Sequence, residues 1–248
     1  MKKYSLFLVF CLFTISLAAN DLVKTANSMY KKGNYAEAIT LYLQAIPNEK
    51  QSPEIFYNIG NAYYKNGNLA KAIVYYERAL LIEPNYDDAR FNLALVQAKT
   101  VDKIDKLDSF FIHRWFDSIA NWVSSDVWAK ASIILFFSVI ALAFLYAFSK
   151  QMWLRKSSFY GALIMFLVCS ISVFMAKKQK DKIEQQAYAI VMSPTVTVRS
   201  APDKSGTTVF VLHEGTKVKI KSSLDVWVEI VIDDGNVGWM LQTDMEKI

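Results

Sequence analysis

Hydrophobic and polar positions change rhythm along this chain. Ala131 to Phe148 and Phe159 to Ala176 are two 18-residue stretches without a charge, joined by a ten-residue basic loop, Ser149 to Ser158. At 1.5 Å per residue each reaches about 27 Å, close to the ~30 Å hydrocarbon core of a bilayer. Buried core helices in a soluble domain keep a polar face, and these have none. Trp128, Tyr146, Trp153 and Tyr160 stand near the ends, where amphipathic rings favour the headgroup level. The pattern predicts a two-helix transmembrane hairpin. Just before it, Phe111, Trp115, Ile119 and Trp122 fall at steps of four, four and three, on one helical face. That stretch reads either as an interfacial helix or as a helix capping the repeats before it. Beyond Ala187 the rhythm becomes alternation, with Val196 and Val198, Val209 and Val211, Val218 and Ile220, and Val226 to Ile232. Short alternating strands broken by turn residues, with Asp234-Gly235 as a hairpin signal, predict a small all-β barrel.

Before the hairpin the chain repeats itself. A shift of 34 residues aligns Leu22–Ile46 with Phe56–Leu80, and ten of 25 pairs are identical, among them Asn27/Asn61, Tyr30/Tyr64, Lys31/Lys65, Gly33/Gly67 and Tyr42/Tyr76. In the second copy Phe56, Ile59-Gly60, Tyr63, Ala72, Tyr76, Ala79 and Pro84 resemble the tetratricopeptide repeat. Small Gly60 and Ala72 suit close helix approach, Gly67-Asn68 suits the turn and Pro84 the exit. Phe91 to Ala94 begins a further half copy. An array of two and a half repeats leaves apolar surface open, to be covered by a helix from residues 101–123, the membrane surface or a partner. The resemblance implies a concave face lined by the first helix of each repeat. By position that face carries Asn27, Tyr30, Lys31, Tyr57, Asn61, Tyr64, Lys65 and Phe91, with Asn amides offered to the backbone of a bound protein segment.

The tail resembles bacterial SH3-like domains through Val196-Thr197-Val198-Arg199-Ser200-Ala201-Pro202, Glu214-Gly215, Trp227-Val228-Glu229-Ile230 and Gly238-Trp239-Met240. Such domains bind cell-wall peptides or proteins, or serve as spacers. Trp227 and Trp239 are its candidate binding surface, with one of them expected in the core.

Charge changes the picture once it is divided. The net +5 comprises two lysines in residues 1–19, 12 basic against 13 acidic residues in 20–127, eight against two in 128–186, and six against eight in 187–248. The basic excess belongs to the membrane borders and not to a folded face, which excludes a nucleic-acid-binding reading. Cys11 and Cys169 permit neither a disulfide framework nor a thiolate metal site, and His113 and His213 have no partner at ligand spacing. No nucleophile elbow, phosphate loop or metalloprotease motif is present, so the expectation is a non-enzyme without cofactor or metal. Lys2 and Lys3, the apolar run Leu6 to Leu17 and small Ala18-Ala19 read as a signal sequence, cleaved or retained. Export of the downstream chain would put both soluble modules outside the cytoplasm. Lys150, Arg155 and Lys156 in the loop agree with the positive-inside rule, whereas Lys177, Lys178, Lys180 and Lys182 do not.

The expected division is a signal peptide over 1–19, a tetratricopeptide array over 20–100, an interfacial or capping helix over 101–127, spans over 128–148 and 159–176 around a cytoplasmic loop 149–158, a basic linker over 177–186 and an SH3-like domain over 187–248. This order resembles the BatE-type proteins of the Bacteroides aerotolerance operon along essentially the full length. The resemblance implies a bacterial inner-membrane accessory with periplasmic modules, protein partners of von Willebrand factor A type and a link to oxygen or stress tolerance. Peptidoglycan is the alternative partner, through the SH3-like tail.

Overall fold

The computed structural model describes residues 21–46, 52–104, 111–184 and 188–248. The signal-sequence reading of residues 1–19 lies outside them. The chain forms two units: one combines the helical array with the C-terminal sheet, and the other centres on the apolar hairpin.

In the array, α1 covers residues 21–31, α2 Tyr35–Ala45, α3 Pro53–Lys65, α4 Leu69–Ile82 and α5 Asp87–Gln97. Helix α3 starts cleanly because Ser52 Oγ accepts from the Ile55 N–H and Pro53 occupies the first turn. It ends on Gly67 at φ +86°, with Asn68 N–H donating to Tyr63 O and Gly67 N–H to Tyr64 O. The first repeat copies this, with Gly33 at φ +83° and Asn34 N–H donating to Met29 O. This paired closure requires a left-handed residue, which glycine supplies without strain. A Cβ on Gly60 would lie 2.6 Å from Tyr76 Cε1, so the helices meet as the small residue demands.

The sheet has seven antiparallel strands in the order β3-β2-β6-β5-β4-β1-β7. These are β1 Tyr188–Val191, β2 Thr195–Arg199, β3 Thr208–His213, β4 Lys217–Leu224, β5 Trp227–Val231, β6 Val237–Leu241 and β7 Met245–Lys247. Val196, Val198, Leu212, Val218, Val228, Ile230 and Met240 alternate into its interior. Gly235, at φ +89°, makes the turn its Asp-Gly pair announced.

Array and sheet share a core. Ile190 and Ile248 are buried with the array residues, and Tyr188 and Met192 pack against them, while Ala189 and Val191 face the sheet interior. Strand β1 is therefore covered on both sides, which explains its unbroken apolar run. On the array side the contact falls on α4. Val74, Tyr75 and Glu77 are buried there, whereas their counterparts Thr40, Leu41 and Leu43 on α2 are exposed or half-buried. Lys217 Nζ lies 2.7 Å from Glu77 Oε2, Lys71 Nζ 2.5 Å from Glu246 Oε2 and Arg78 Nη2 3.1 Å from Glu246 Oε1. After α5 the chain runs along the sheet, where Ile104 joins the sheet's core and Asp102 bonds to His213 and Thr216. The SH3-like tail thus covers the outer face of α4, a contact that the repeat pattern did not point to.

In the second unit, α6 is Phe111–Ala120, α7 Ser125–Phe148 and α8 Met152–Glu184. Helices α7 and α8 are long and apolar enough to cross a membrane, at mean hydropathy 2.5 and 2.2 in their most apolar windows. No residue of α7 is buried, unlike a helix in a soluble core. The turn is only Ser149–Gln151, and α8 continues without a break through Lys177–Lys180, the segment expected as a linker.

Candidate functional site

The site grows from the repeat. Tyr42 of α2 donates its hydroxyl to Asn27 Oδ1 of α1 at 2.5 Å, and 34 residues on Tyr76 donates to Asn61 Oδ1 at 2.6 Å. Burial raises the Tyr42 pKa to about 12 and raises that of Tyr76 as well, so both phenols remain protonated donors. Burial also raises Tyr30, with Tyr35 and Tyr57 adding to it. Each Asn carbonyl is thereby fixed inside its own repeat. Asn92 Nδ2 adds a second bond to Asn61 Oδ1 at 2.8 Å and reaches Tyr57 Oη at 3.3 Å.

These constraints shape a cavity of about 140 Å³ lined by Asn27, Tyr30, Lys31, Tyr42, Asn58 and Asn61. Four of the eight residues placed on the concave face by position therefore come together. The other four do not line this cavity. Tyr57 packs its ring against Tyr86 at 5.1 Å, and Tyr64 accepts from Lys99 Nζ at 2.5 Å. Lys65 is exposed, and Phe91 on α5 is 70 % exposed. The expectation that the Asn amides serve a ligand's backbone is narrowed, since their oxygens are already engaged.

Tyr42, Asn58, Asn92 and Lys99 were not among the residues expected from sequence. The 34-residue period carries the missing signal: Asn92 lies 34 after Asn58, and Lys99 34 after Lys65, itself 34 after Lys31. Three exposed lysines thus recur at one position of successive repeats. Each stands at the C-terminal end of a first helix, where the negative end of the dipole favours a cation. The face is a shallow polar and aromatic trough with a basic rail.

Family comparison settles the two folds. A tetratricopeptide repeat model matches residues 53–86, a related TPR repeat model residues 26–67 and a bacterial SH3 domain model residues 194–246. The array is tetratricopeptide and the sheet is SH3-like. No curated protein matches the chain. Among solved structures, the Sgt2 TPR domain from Aspergillus fumigatus is similar at 15 % identity and TM-score 0.31, over 68 % of this chain and 82 % of that one. That likeness is too loose to bear on fold or ligand.

On the SH3-like module, β5 and β6 pair Trp227 with Leu241 and Glu229 with Trp239. Both tryptophans therefore point to the face opposite Val228, Ile230 and Met240, and both are half-buried. The expectation that one is core is corrected: neither joins the buried cluster, because strand alternation assigns both to the outer face. Glu229 lies between them in register, and its carboxyl is held below the usual range by hydrogen bonds from Lys221 and Ser222. Among the described residues, no three His, Cys, Asp or Glu side chains come together as a metal-ligand set.

Proposed function

We propose that this chain is a membrane-anchored, non-catalytic adaptor that holds an extended segment of a partner protein in its tetratricopeptide trough. The observation that carries the reading is the trough itself. Its lining comes from α1, α2 and α3, while the SH3-like sheet docks on α4, so covering one face of the array leaves the recognition face open. The rail of Lys31, Lys65 and Lys99 favours a segment bearing acidic side chains, and the tyrosines supply flat apolar area. Repeat arrays of this kind expose extended surfaces for binding and have no built-in catalytic group.

The hairpin supplies the anchor. Modules that share one core fold on one side of a membrane, and an even number of spans permits it. A signal-sequence layout at 1–19 favours the periplasmic side of a bacterial inner membrane. The module order supports membership of the BatE type, with von Willebrand factor A-type proteins as partners and aerotolerance as the setting.

The experiment is photo-crosslinking in native membranes from a reactive residue placed at Asn58, compared with one at Ser205 on the SH3-like module. A discrete partner adduct from Asn58, reduced at least about tenfold by K31E/K65E/K99E, is expected. No adduct from Asn58 would sink the adaptor reading. A second reading rests on Trp227 and Trp239 sharing one half-open face, which suits stacking on sugar or peptide of the cell wall. Solubilised full-length chain should then pellet with insoluble peptidoglycan and cease to do so as W227A/W239A.

A further inference from the structure

Helix α5 ends the array on an apolar surface. The 34-residue period matches Tyr57, Asn61 and Tyr64 of α3 with Phe91, Leu95 and Ala98 of α5. On α3 these positions face the next first helix: Tyr57 and Asn61 accept from Asn92, and Tyr64 from Lys99. On α5 the same positions are open. Phe91 is 70 % exposed and Leu95 39 %, and Ala94 and Ala98 beside them are exposed as well. Steps of four and three put Phe91, Leu95 and Ala98 in one stripe, which Val101 continues. The terminal unit of a repeat array ordinarily turns a polar face outward. Here hydrogen-bonding residues inside the array give way to apolar ones at its end. Neither Phe91 nor Leu95 joins the core that array and sheet share.

Charge changes sign along that stripe. Asp87, Asp88 and Arg90 stand at the start of α5, with Glu83 before them, and Asp87 pairs with Arg90 within the helix at 2.9 Å. Lys99 and Lys103 stand beyond its end with Asp102, whose carboxylate is taken by His213 and Thr216. The start is therefore net negative and the end net positive. Two such helices laid antiparallel bring each acidic start against the basic end of the other. With Phe91 set over Leu95 of the second copy, exposed Asp88 comes beside exposed Lys99. Lys99 gives one ammonium donor to Tyr64 and has two more. Ala94 then lies next to the two-fold axis, where a small side chain admits close helix approach. Head-to-tail docking onto α1 has no such match, since among the described residues α1 exposes no large apolar side chain. It would also propagate as an open filament, whereas the antiparallel pair closes on itself.

We infer that a second copy of this chain docks on the stripe, α5 against α5 in an antiparallel, isologous pair. Phe91 of each copy packs on Leu95 of the other, and Asp88 pairs with Lys99 across the axis. So short a stripe buries well under the ~1,200 Å² at which stable soluble interfaces begin. The membrane hairpin offsets this by confining both copies to one surface, which raises their effective concentration. The inference rests on the anchored reading of the chain and not on what the trough binds, since that cavity is lined from α1, α2 and α3.

The test is disulfide crosslinking of the full-length chain in native membranes, with copper phenanthroline as oxidant and Cys11 and Cys169 replaced by serine. One cysteine is placed at Ala94 or, as control, at exposed Thr40 of α2. Retention of the chain in alkali-washed membranes reports on the anchored reading by itself. A94C is expected to give at least about tenfold more disulfide-linked homodimer than T40C, because bridging needs Cα atoms within about 7 Å. F91S/L95S in the A94C chain should remove that product. D88K alone and K99E alone should each lower it, and D88K/K99E should restore it, since the swapped charges then meet across the axis. These positions are exposed, so the substitutions leave the array's core intact. The readout is a homodimer and is therefore separate from the partner adduct formed at Asn58. A yield from A94C no higher than from T40C, an adduct to a different protein in place of the homodimer, or no recovery in D88K/K99E overturns the inference.

Discussion

Two residues show how far the repeat pattern reaches. Gly60 is legible from sequence because close helix approach admits nothing larger, and the structure puts Tyr76 Cε1 2.6 Å from where its Cβ would be. The Tyr76 ring is buried between helices and bonded to Asn61, so it has little room to retreat. Gly60→Ala is therefore expected to cost about 1–3 kcal/mol through overpacking. Tyr76→Phe should cost less, about 1 kcal/mol, since Asn61 Oδ1 keeps its bond from Asn92. Thermal unfolding of the solubilised chain followed by helical circular dichroism ranks the two, and a larger loss for Tyr76→Phe would refute the packing argument. The Asn–Tyr bond was not legible. The period displayed both residue types twice, but nothing in spacing alone said that the phenol, and not a ligand, takes the Asn carbonyl.

Among elements, α4 departs most from its repeat partner. Its apolar spacing reads as one buried face, as on α2, yet it is buried nearly all round. The excess comes from β1, β4 and β7, which lie more than a hundred residues away along the chain. Period and propensity report on neighbours in sequence, so contacts at such separation leave no local trace. Glu77 is the best witness, a buried carboxylate at a helix position where solvent was expected. Its partner Lys217 is one-third exposed, so the pair is worth less than a fully buried one. Lys217→Met is expected to destabilise by about 1–2 kcal/mol, because it strands the carboxylate. Adding Glu77→Leu should recover most of that, as replacing both partners removes the unpaired charge. Chemical denaturation of the two variants decides it, and an additive second loss would show that the pair is not what holds α4 to the sheet.

At the scale of the molecule, the three-part architecture was legible because each part has its own rhythm: a 34-residue repeat, two uncharged runs and an alternating tail. Their joining was not, since the array's open surface pointed only to a need for cover. The joint closes at Asp102. Its Oδ2 accepts from the His213 N–H at 2.7 Å and from Thr216 Oγ1 at 2.6 Å, and Oδ1 lies 2.7 Å from His213 Nδ1. Burial alone would raise this carboxyl, but the bonds from Thr216 and His213 outweigh it and hold the pKa below its ordinary value. A folded pKa below the unfolded one, about 3.9, means the stabilisation is complete above that value. It is lost as the pH falls through the lower folded pKa. Asp102→Asn removes the charged acceptor at every pH and turns an amide toward a donor, a loss of about 1–3 kcal/mol near neutrality. Wild type and Asp102→Asn should thus differ clearly in thermal midpoint at pH 7 and converge as the pH falls through the depressed folded pKa of Asp102, below which both lack the carboxylate. A gap of constant size across that range would mean that the Asp102 charge does not fasten the SH3-like module to the array. The docked arrangement would then rest on the apolar contacts of Tyr188, Ile190, Met192 and Ile248 and on the ion pairs of α4.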